Sequence, residues 1–140
     1  MILLDSNVIS EFMRPLPEPR VVRWLDRQPR SSIWTTSVTI LEIRVGLEML
    51  PLGKRREQTT AAFHLLLSQK LGRRVAVFDN AAAENTARLM AIRKQAGRPG
   101  DLRDSMIAGI ALAANASLAT RNTKHFEDLA LRLIDPWQDS

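Results

Sequence analysis

The 140-residue chain contains no cysteine and no tyrosine, and only 5% of its residues are aromatic. The absence of cysteine excludes disulfides, thiolate nucleophiles and sulfur-ligated metal sites. So few aromatic rings leave little material for a surface on which nucleic-acid bases would stack. The longest apolar runs span one or two helical turns, well short of the roughly 20 residues of a membrane span. Because Asp5 also interrupts the apolar N-terminus, we expect a cytoplasmic protein with no signal or membrane segment.

The composition is that of an ordinary globular domain. Hydrophobic residues make up 45% of the chain and charged residues 25%, which is enough apolar surface for one core and predicts a single domain over residues 1–140. Twenty Lys and Arg against fifteen Asp and Glu give a net charge of +5. This excess favours a polyanionic partner such as nucleic acid, although a solvated arginine-rich face would produce the same balance.

Short apolar, β-branched runs alternate with helical patterns along the chain. The predicted strands are 2–5, 32–36, 73–79, 117–120 and 131–135. The expected N-caps of the intervening helices are Ser6 or Asn7, Ser37, Asn80, and Asp101 or Asp104. Such alternation implies right-handed crossovers, so the predicted fold is an α/β class, three-layer α/β/α sandwich with a mostly parallel central sheet.

Glu42 is a carboxylate on an apolar helix face. One helical turn away lie Val38, Val45 and Gly46, so its side chain projects among apolar and small groups. A carboxylate in such a place must be paired with a cation, bound to a metal or protonated. The alternative is that Glu42 reaches solvent from the edge of this apolar face or forms an ion pair with an arginine from another element.

Two further acids share a position relative to the predicted sheet. Asp5 follows the first strand, and Asp104 opens the helix that leads to the fourth. Each has an alternative role as a helix cap or first-turn acid. In a parallel sheet, Asp5, Glu42 and Asp104 can converge at the carboxyl edge, where a hard divalent cation would relieve their repulsion. Oxygen ligands, no cysteine and only two histidines favour Mg²⁺ or Mn²⁺ over zinc.

Four segments around these acids resemble the motifs of the PIN-domain ribonucleases, and within them the VapC toxins of bacterial type II toxin–antitoxin pairs. The segments are 4–11, 37–46, 97–99 with 104–109, and 119–126. Ser6 stands where threonine is usual in the first motif. Each motif is weak alone, but four in order at the expected spacing make a specific match over nearly the whole chain.

The resemblance implies a PIN domain with Mg²⁺- or Mn²⁺-dependent endoribonuclease activity. Asp5, Glu42 and Asp104 would form the acidic core, with Asp5 and Asp104 holding the cation and Glu42 orienting or deprotonating a water. At the family's fourth acidic position the candidates here are Asn122, Lys124 and His125. A neutral Asn122 binds a water but does not hold a second cation firmly, which favours one metal; its alternative role is that of a turn residue.

Substrate and partner contacts follow from the same resemblance. Ser6 or Thr120 would hydrogen-bond a ligand carboxylate or a phosphate oxygen. The basic candidates for neutralising the RNA backbone are Arg98, Arg103, Arg121 and Lys124. The expected substrate is tRNA or another structured RNA.

The expected protein partner is a cognate VapB-type antitoxin whose tail crosses the acidic pocket, in a homodimer or a larger toxin–antitoxin hetero-oligomer. Competing interpretations are a catalytically inactive PIN-like RNA-binding or scaffold module, a flap-type deoxyribonuclease and a receiver-like or phosphatase domain. The three retained acids count against an inactive module, and the short chain counts against a flap-type deoxyribonuclease. The absence of a lysine at a strand end counts against a receiver-like or phosphatase domain.

Overall fold

Five strands and six α-helices occur in residues 1–138, the part of the chain that the computed structural model describes, and pairs of α-helices separate the first four strands. The strands are β1 (Ile2–Leu4), β2 (Ile33–Thr36), β3 (Val75–Ala76), β4 (Ser117–Ala119) and β5 (Leu133–Ile134). The helices are α1 (Ser6–Phe12), α2 (Pro19–Asp26), α3 (Ser37–Met49), α4 (Lys54–Leu65), α5 (Asn80–Gln95) and α6 (Leu102–Ala114). Across these residues, no helix combines the length and apolarity needed to cross a bilayer.

The sheet is parallel throughout, in the order β3-β2-β1-β4-β5. Leu3 of the central strand pairs with Trp34 on one side and Leu118 on the other. The chain adds β2 and β3 on one side of β1, and then β4 and β5 on the other. The boundary between β1 and β4 is therefore the switch point of the sheet, where open α/β folds place their ligands.

Both faces of the sheet are covered, which confirms the predicted three-layer architecture. Consecutive strand residues point to opposite faces, and Leu3 and Leu4 accordingly belong to separate apolar clusters. Leu4 packs in the cluster that contains Trp24 and Phe63, and Leu3 in the one that contains Ile107. Burying each leucine contributes about 1.5–3 kcal/mol, so the central strand is anchored from both sides.

The helix caps lie one residue earlier than the sequence pattern indicates. Asp5, Thr36 and Asp79 cap α1, α3 and α5, where Ser6 or Asn7, Ser37 and Asn80 were expected. For Asp5 the structure confirms the alternative role of helix cap. The turns from strand to helix are so tight that the last polar residue of the extended segment caps the helix itself. Asp101, one of the two candidates, caps α6 by accepting from the Asp104 amide at 3.1 Å.

Helices α5 and α6 approach each other closely at Gly109. A Cβ added there would stand 1.8 Å from the Thr86 hydroxyl oxygen and 2.8 Å from the Ala82 carbonyl oxygen. Only glycine fits such an approach between backbones. The contact fixes α6, and with it Asp104 in its first turn, against α5.

Candidate active site

Asp5 is a buried carboxylate at the carboxyl end of β1, with 3% of its surface exposed. Its Oδ1 accepts from the Ser6 amide at 2.8 Å, and its Oδ2 from the Thr120 hydroxyl at 2.8 Å. Burial raises the pKa of Asp5 although both hydrogen bonds oppose the rise, and the charge of Asp104 adds to it. The two hydrogen bonds thus fix the orientation of this carboxylate.

Thr120, directly after β4, is fully buried beside Asp5. Besides donating to Asp5, its Oγ1 accepts from the Asn122 amide at 3.1 Å and from the Asn7 side-chain amide at 3.3 Å. The Asp5 amide donates to the Ala119 carbonyl at 3.0 Å, which extends the β1–β4 ladder by one residue. Neighbouring strands therefore bring the two side chains together, and the phosphate contact expected of Thr120 stays a prediction.

Glu42 occupies the second turn of α3, and its Oε1 is a buried polar atom without a hydrogen-bond partner among residues 1–138. Burial raises the pKa of Glu42 to about 6, with a further contribution from the charge of Asp5 and an opposing one from Arg103. Buried polar atoms are nearly always satisfied. An unsatisfied carboxylate oxygen in a cluster of acids indicates a partner from outside residues 1–138, such as a water or a cation.

Asp104 lies in the first turn of α6 and is free of a capping role because Asp101 performs it. Its side chain is 21% exposed, and its Oδ2 stands 3.0 Å from Nδ1 of His125. The charge of Asp104 raises the pKa of both Asp5 and Glu42. The three acids named by the sequence motifs therefore share one electrostatic environment at the switch point of the sheet.

The donor chemistry of this cluster fits a hard divalent cation. No group of three His, Asp or Glu side chains within residues 1–138 forms a ready-made ligand cage. Mg²⁺ commonly keeps several waters and takes only one or two protein carboxylates. Two oriented acids and the unpartnered oxygen of Glu42 meet that requirement, whereas zinc favours nitrogen and sulfur ligands.

Four of the remaining predicted residues line two separate cavities. Ser6 and Arg103 line a cavity of about 830 Å³ together with Glu42. Arg98 and Lys124 line a smaller cavity of about 210 Å³ that also includes His125. The roles given to these residues in substrate binding stay predictions.

Arg121 and Asn122 follow Thr120 on an exposed turn. The Arg121 guanidinium lies 4.8 Å from the centroid of the Trp137 ring, and its amide donates to the side-chain oxygen of Asn7 at 3.1 Å. Asn122 is exposed and contacts the site through the hydrogen bond that its backbone N–H donates to the Thr120 hydroxyl. In this structure, therefore, the Arg121 side chain points towards the C-terminal segment.

Arg93 is a residue of this region that the sequence motifs do not identify. It is 4% exposed and lies at helical spacing with Ala82, Thr86 and Leu89 on the buried face of α5. A charged residue on an apolar face is the same signal that drew attention to Glu42. Applied to Arg93, it would have predicted a buried ion pair.

Comparison with known proteins identifies the class to which this fold and site belong. The family model described as the PIN domain matches residues 2–131. The chain therefore belongs to the PIN domain family, as its motifs predicted.

Two relatives and one solved structure are similar over nearly their full length. The VapC ribonuclease Y4jK of Sinorhizobium fredii is 37% identical over 138 residues, which are 99% of each chain. Toxin FitB of Neisseria gonorrhoeae is 32% identical over 139 residues, covering 99% of this chain and 100% of its own. The solved structure of FitAB bound to an IR36 DNA fragment has a TM-score of 0.89 and 31% identity, covering 100% of this chain and 98% of that one.

Proposed function

We propose that this protein is the toxin of a type II toxin–antitoxin pair and acts as a divalent-metal-dependent endoribonuclease. Full-length similarity to a protein named as a VapC ribonuclease and to one named as a toxin supports the two parts of this proposal. The observation that carries it is the unpartnered Glu42 oxygen beside two oriented carboxylates. A scaffold module would gain nothing from holding three acids together against their repulsion.

Asp5 and Asp104 would hold the cation, with Mg²⁺ as the expected ion and Mn²⁺ as a substitute. When bound, the cation withdraws charge from a phosphoryl oxygen and lowers the pKa of a coordinated water. The chain's own contribution is orientation: Thr120 and the Ser6 amide fix both oxygens of Asp5. The carboxylate is then held in place before any ligand arrives.

Glu42 is the candidate general base. A carboxylate whose pKa lies at about 6 is mostly ionised at neutral pH and is more basic than an exposed glutamate. It would take a proton from the attacking water as the new P–O bond forms. The departing oxygen of the RNA chain takes up a proton in turn, so that one water is consumed for each bond cut.

The basic residues around the acids would bind the RNA backbone. Arg103 faces Glu42, while Arg98 and Lys124 lie on the His125 side of the cluster. Arginine and lysine contacts to phosphates position a strand without reading its sequence. Ser6, Thr120 and Arg121 complete the proposed substrate contacts, and the proposed substrate is tRNA or another structured RNA. Asn122 is proposed as a catalytic residue that binds a water at the family's fourth acidic position.

A VapB-type antitoxin is the proposed partner, in a complex that contains a homodimer or a larger hetero-oligomer of toxin. The similarity to the FitAB structure over the whole chain supports this assembly. A tail that places a cation near Asp5 and Glu42 would compensate the negative charge of the site in the same way as a metal. Cleavage must therefore be measured on protein freed of any antitoxin.

The test is cleavage of total RNA and a panel of defined tRNAs with Mg²⁺, with Mn²⁺ and with EDTA. Asp104→Ala is compared with the matched control Asp26→Ala, an exposed acid at the end of α2. We expect cutting with either metal by the wild type and the control, and none by Asp104→Ala or in EDTA. Well-folded wild-type protein that cuts no RNA under any metal would contradict the proposal.

A further inference from the structure

We propose that His125, held in place by the buried Arg93, is a positioning residue for the Asp104 carboxylate. The task assigned to Asp104 rests on the proposed function, but the contact is a feature of the fold. The sequence motifs make His125 one of three candidates at the family's fourth acidic position, but none of the metal or substrate contacts proposed above is assigned to it.

The contact between His125 and Asp104 is a hydrogen bond of defined direction. Nδ1 of His125 stands 3.0 Å from Oδ2 of Asp104. An ionised carboxylate only accepts hydrogen bonds, so Nδ1 must carry the proton and donate. The imidazole is 55% exposed, whereas the next residue, Phe126, is fully buried and anchors the turn. The imidazole ring thus lies at the surface, while the backbone that carries it is held in place.

Arg93 holds the backbone of His125 through a hydrogen bond to its carbonyl group. Its Nη2 donates to the His125 carbonyl at 2.7 Å, and its Nε and Nη2 bind both oxygens of Asp128 at 2.9 Å. Bidentate pairs of this kind combine strength with a fixed geometry. The hydrogen bonds from Arg93 also hold the pKa of Asp128 below its usual range.

The same guanidinium reaches the helix that carries Asp104. Nη1 of Arg93 donates to the Ser105 hydroxyl at 3.3 Å, and Ser105 follows Asp104 in α6. The chain also closes over Arg93 at Gly100, where an added Cβ would lie 2.7 Å from Nη1. One buried group therefore contacts the segments that bear both partners of the His125–Asp104 hydrogen bond, which sets their separation.

A carboxylate in the first turn of a helix has two rotatable bonds, and a donor to one oxygen restricts which way the other faces. In metal sites, loss of such an outer partner typically lowers metal affinity about 10–100-fold. For Asp104 the donor to the carboxylate is His125. The hydrogen bond from Asp104 to the Asp101 side chain uses the backbone N–H of Asp104 and does not involve its carboxylate. We therefore expect His125 to affect cation binding without touching the cation.

The experiment titrates metal-free protein with Mn²⁺ and follows the free ion by electron paramagnetic resonance. His125→Phe removes the donor, and we expect a loss of Mn²⁺ affinity of about 10–100-fold. His125→Asn supplies a side-chain amide N–H near the position of Nδ1, and we expect it to recover most of the affinity. His64→Asn is the matched control, since His64 is the chain's other histidine and is exposed on α4.

Nitrogen NMR of the imidazole supplies a readout that does not depend on metal or activity. In His64→Asn, His125 is the only histidine left, and we expect its proton on Nδ1. A proton on Nε2 alone, unchanged Mn²⁺ affinity in His125→Phe, or equal losses for the Phe and Asn variants would overturn the proposal. If wild-type protein cuts no RNA but the expected Mn²⁺ affinities and the Nδ1 proton are observed, the proposed function fails and the positioning role of His125 stands.

Arg93 is tested through its partner, because removing a buried arginine endangers the fold. Asp128→Asn keeps Arg93 and removes the charge that aligns it. We expect weaker Mn²⁺ binding than in the wild type, by a smaller factor than for His125→Phe. Unchanged Mn²⁺ affinity together with an unchanged imidazole spectrum would overturn the role given to Arg93.

Discussion

Replacing Glu42 with glutamine should stabilise the protein near neutral pH while it abolishes RNA cleavage. Oε1 of Glu42 is buried without a hydrogen-bond partner among residues 1–138, and the charges of Asp5 and Asp104 repel its ionised form. The folded state therefore bears an electrostatic penalty that a neutral amide of the same shape avoids. The penalty disappears when Glu42 is protonated.

The magnitude follows from the pKa. Burial raises the pKa of Glu42 from 4.5 to about 6, which corresponds to about 2 kcal/mol at about 1.4 kcal/mol for each pH unit. The side chain is only half-buried, so solvent screening reduces this to about 1 kcal/mol. Because the folded pKa is the higher one, folding favours the protonated form. Stability is lost as pH rises from 4.5 through about 6 and is constant above.

The assay is urea unfolding, monitored by circular dichroism, of metal-free wild-type and Glu42→Gln protein at about pH 4 and about pH 7.5. The free energy of unfolding of the variant, relative to wild type, should rise by about 1 kcal/mol between the two pH values. Glu84→Gln, at an exposed position of α5, should differ from wild type by less than about 0.5 kcal/mol at both. A difference for Glu42→Gln that is independent of pH, or that falls at neutral pH, would refute the reasoning.

Three further predictions concern the surroundings of the site. Thr120→Val removes the donor to Asp5 and should lower the free energy of unfolding by about 1–3 kcal/mol, which urea unfolding measures. Gly109→Ala forces a Cβ into the Thr86 hydroxyl and should destabilise by about 1–3 kcal/mol. A Cβ added at Gly46 meets nothing within 4 Å, so Gly46→Ala should stabilise α3 by about 0.5–1 kcal/mol. Equal changes in the free energy of unfolding for the Gly109→Ala and Gly46→Ala variants would contradict the packing described. Mg²⁺ at about 100 times its Kd should stabilise wild-type protein by about 2.7 kcal/mol, and an unchanged melting temperature would contradict a metal site.

The sequence predicts the central strands well because local signals determine them, and their ends place Asp5, Glu42 and Asp104 in one electrostatic environment. The roles of these three acids stay predictions. Strands β1, β2 and β4 are short segments rich in apolar or β-branched residues, and each ends within one residue of the predicted position. β3 is only Val75–Ala76, much shorter than the predicted 73–79. Arg73 before it has φ of 58°, and the strand is an edge that pairs only with β2, so the β-branched pattern overstates it.

Contacts between distant parts of the chain could not be predicted from local patterns. The Arg93–Asp128 pair joins residues 35 positions apart, and the His125–Asp104 hydrogen bond joins residues 21 apart. Nothing within either segment specifies its partner. The sequence does mark Arg93 as a charge on an apolar face, but only the packing of α5 and α6 determines what satisfies it.

The most direct test of the metal-dependent ribonuclease site is the cleavage rate of Asp5→Asn at saturating Mg²⁺, beside wild type on one RNA. Asparagine keeps an oxygen that accepts from the Ser6 amide and caps α1. It loses the hydrogen bond from Thr120 but also removes a charge whose burial is unfavourable, so the fold should persist. We predict loss of cleavage by at least about a thousandfold, since a bound cation contributes several kcal/mol to such reactions. Cleavage at the wild-type rate by folded Asp5→Asn would contradict the assignment of this acid cluster as the catalytic centre.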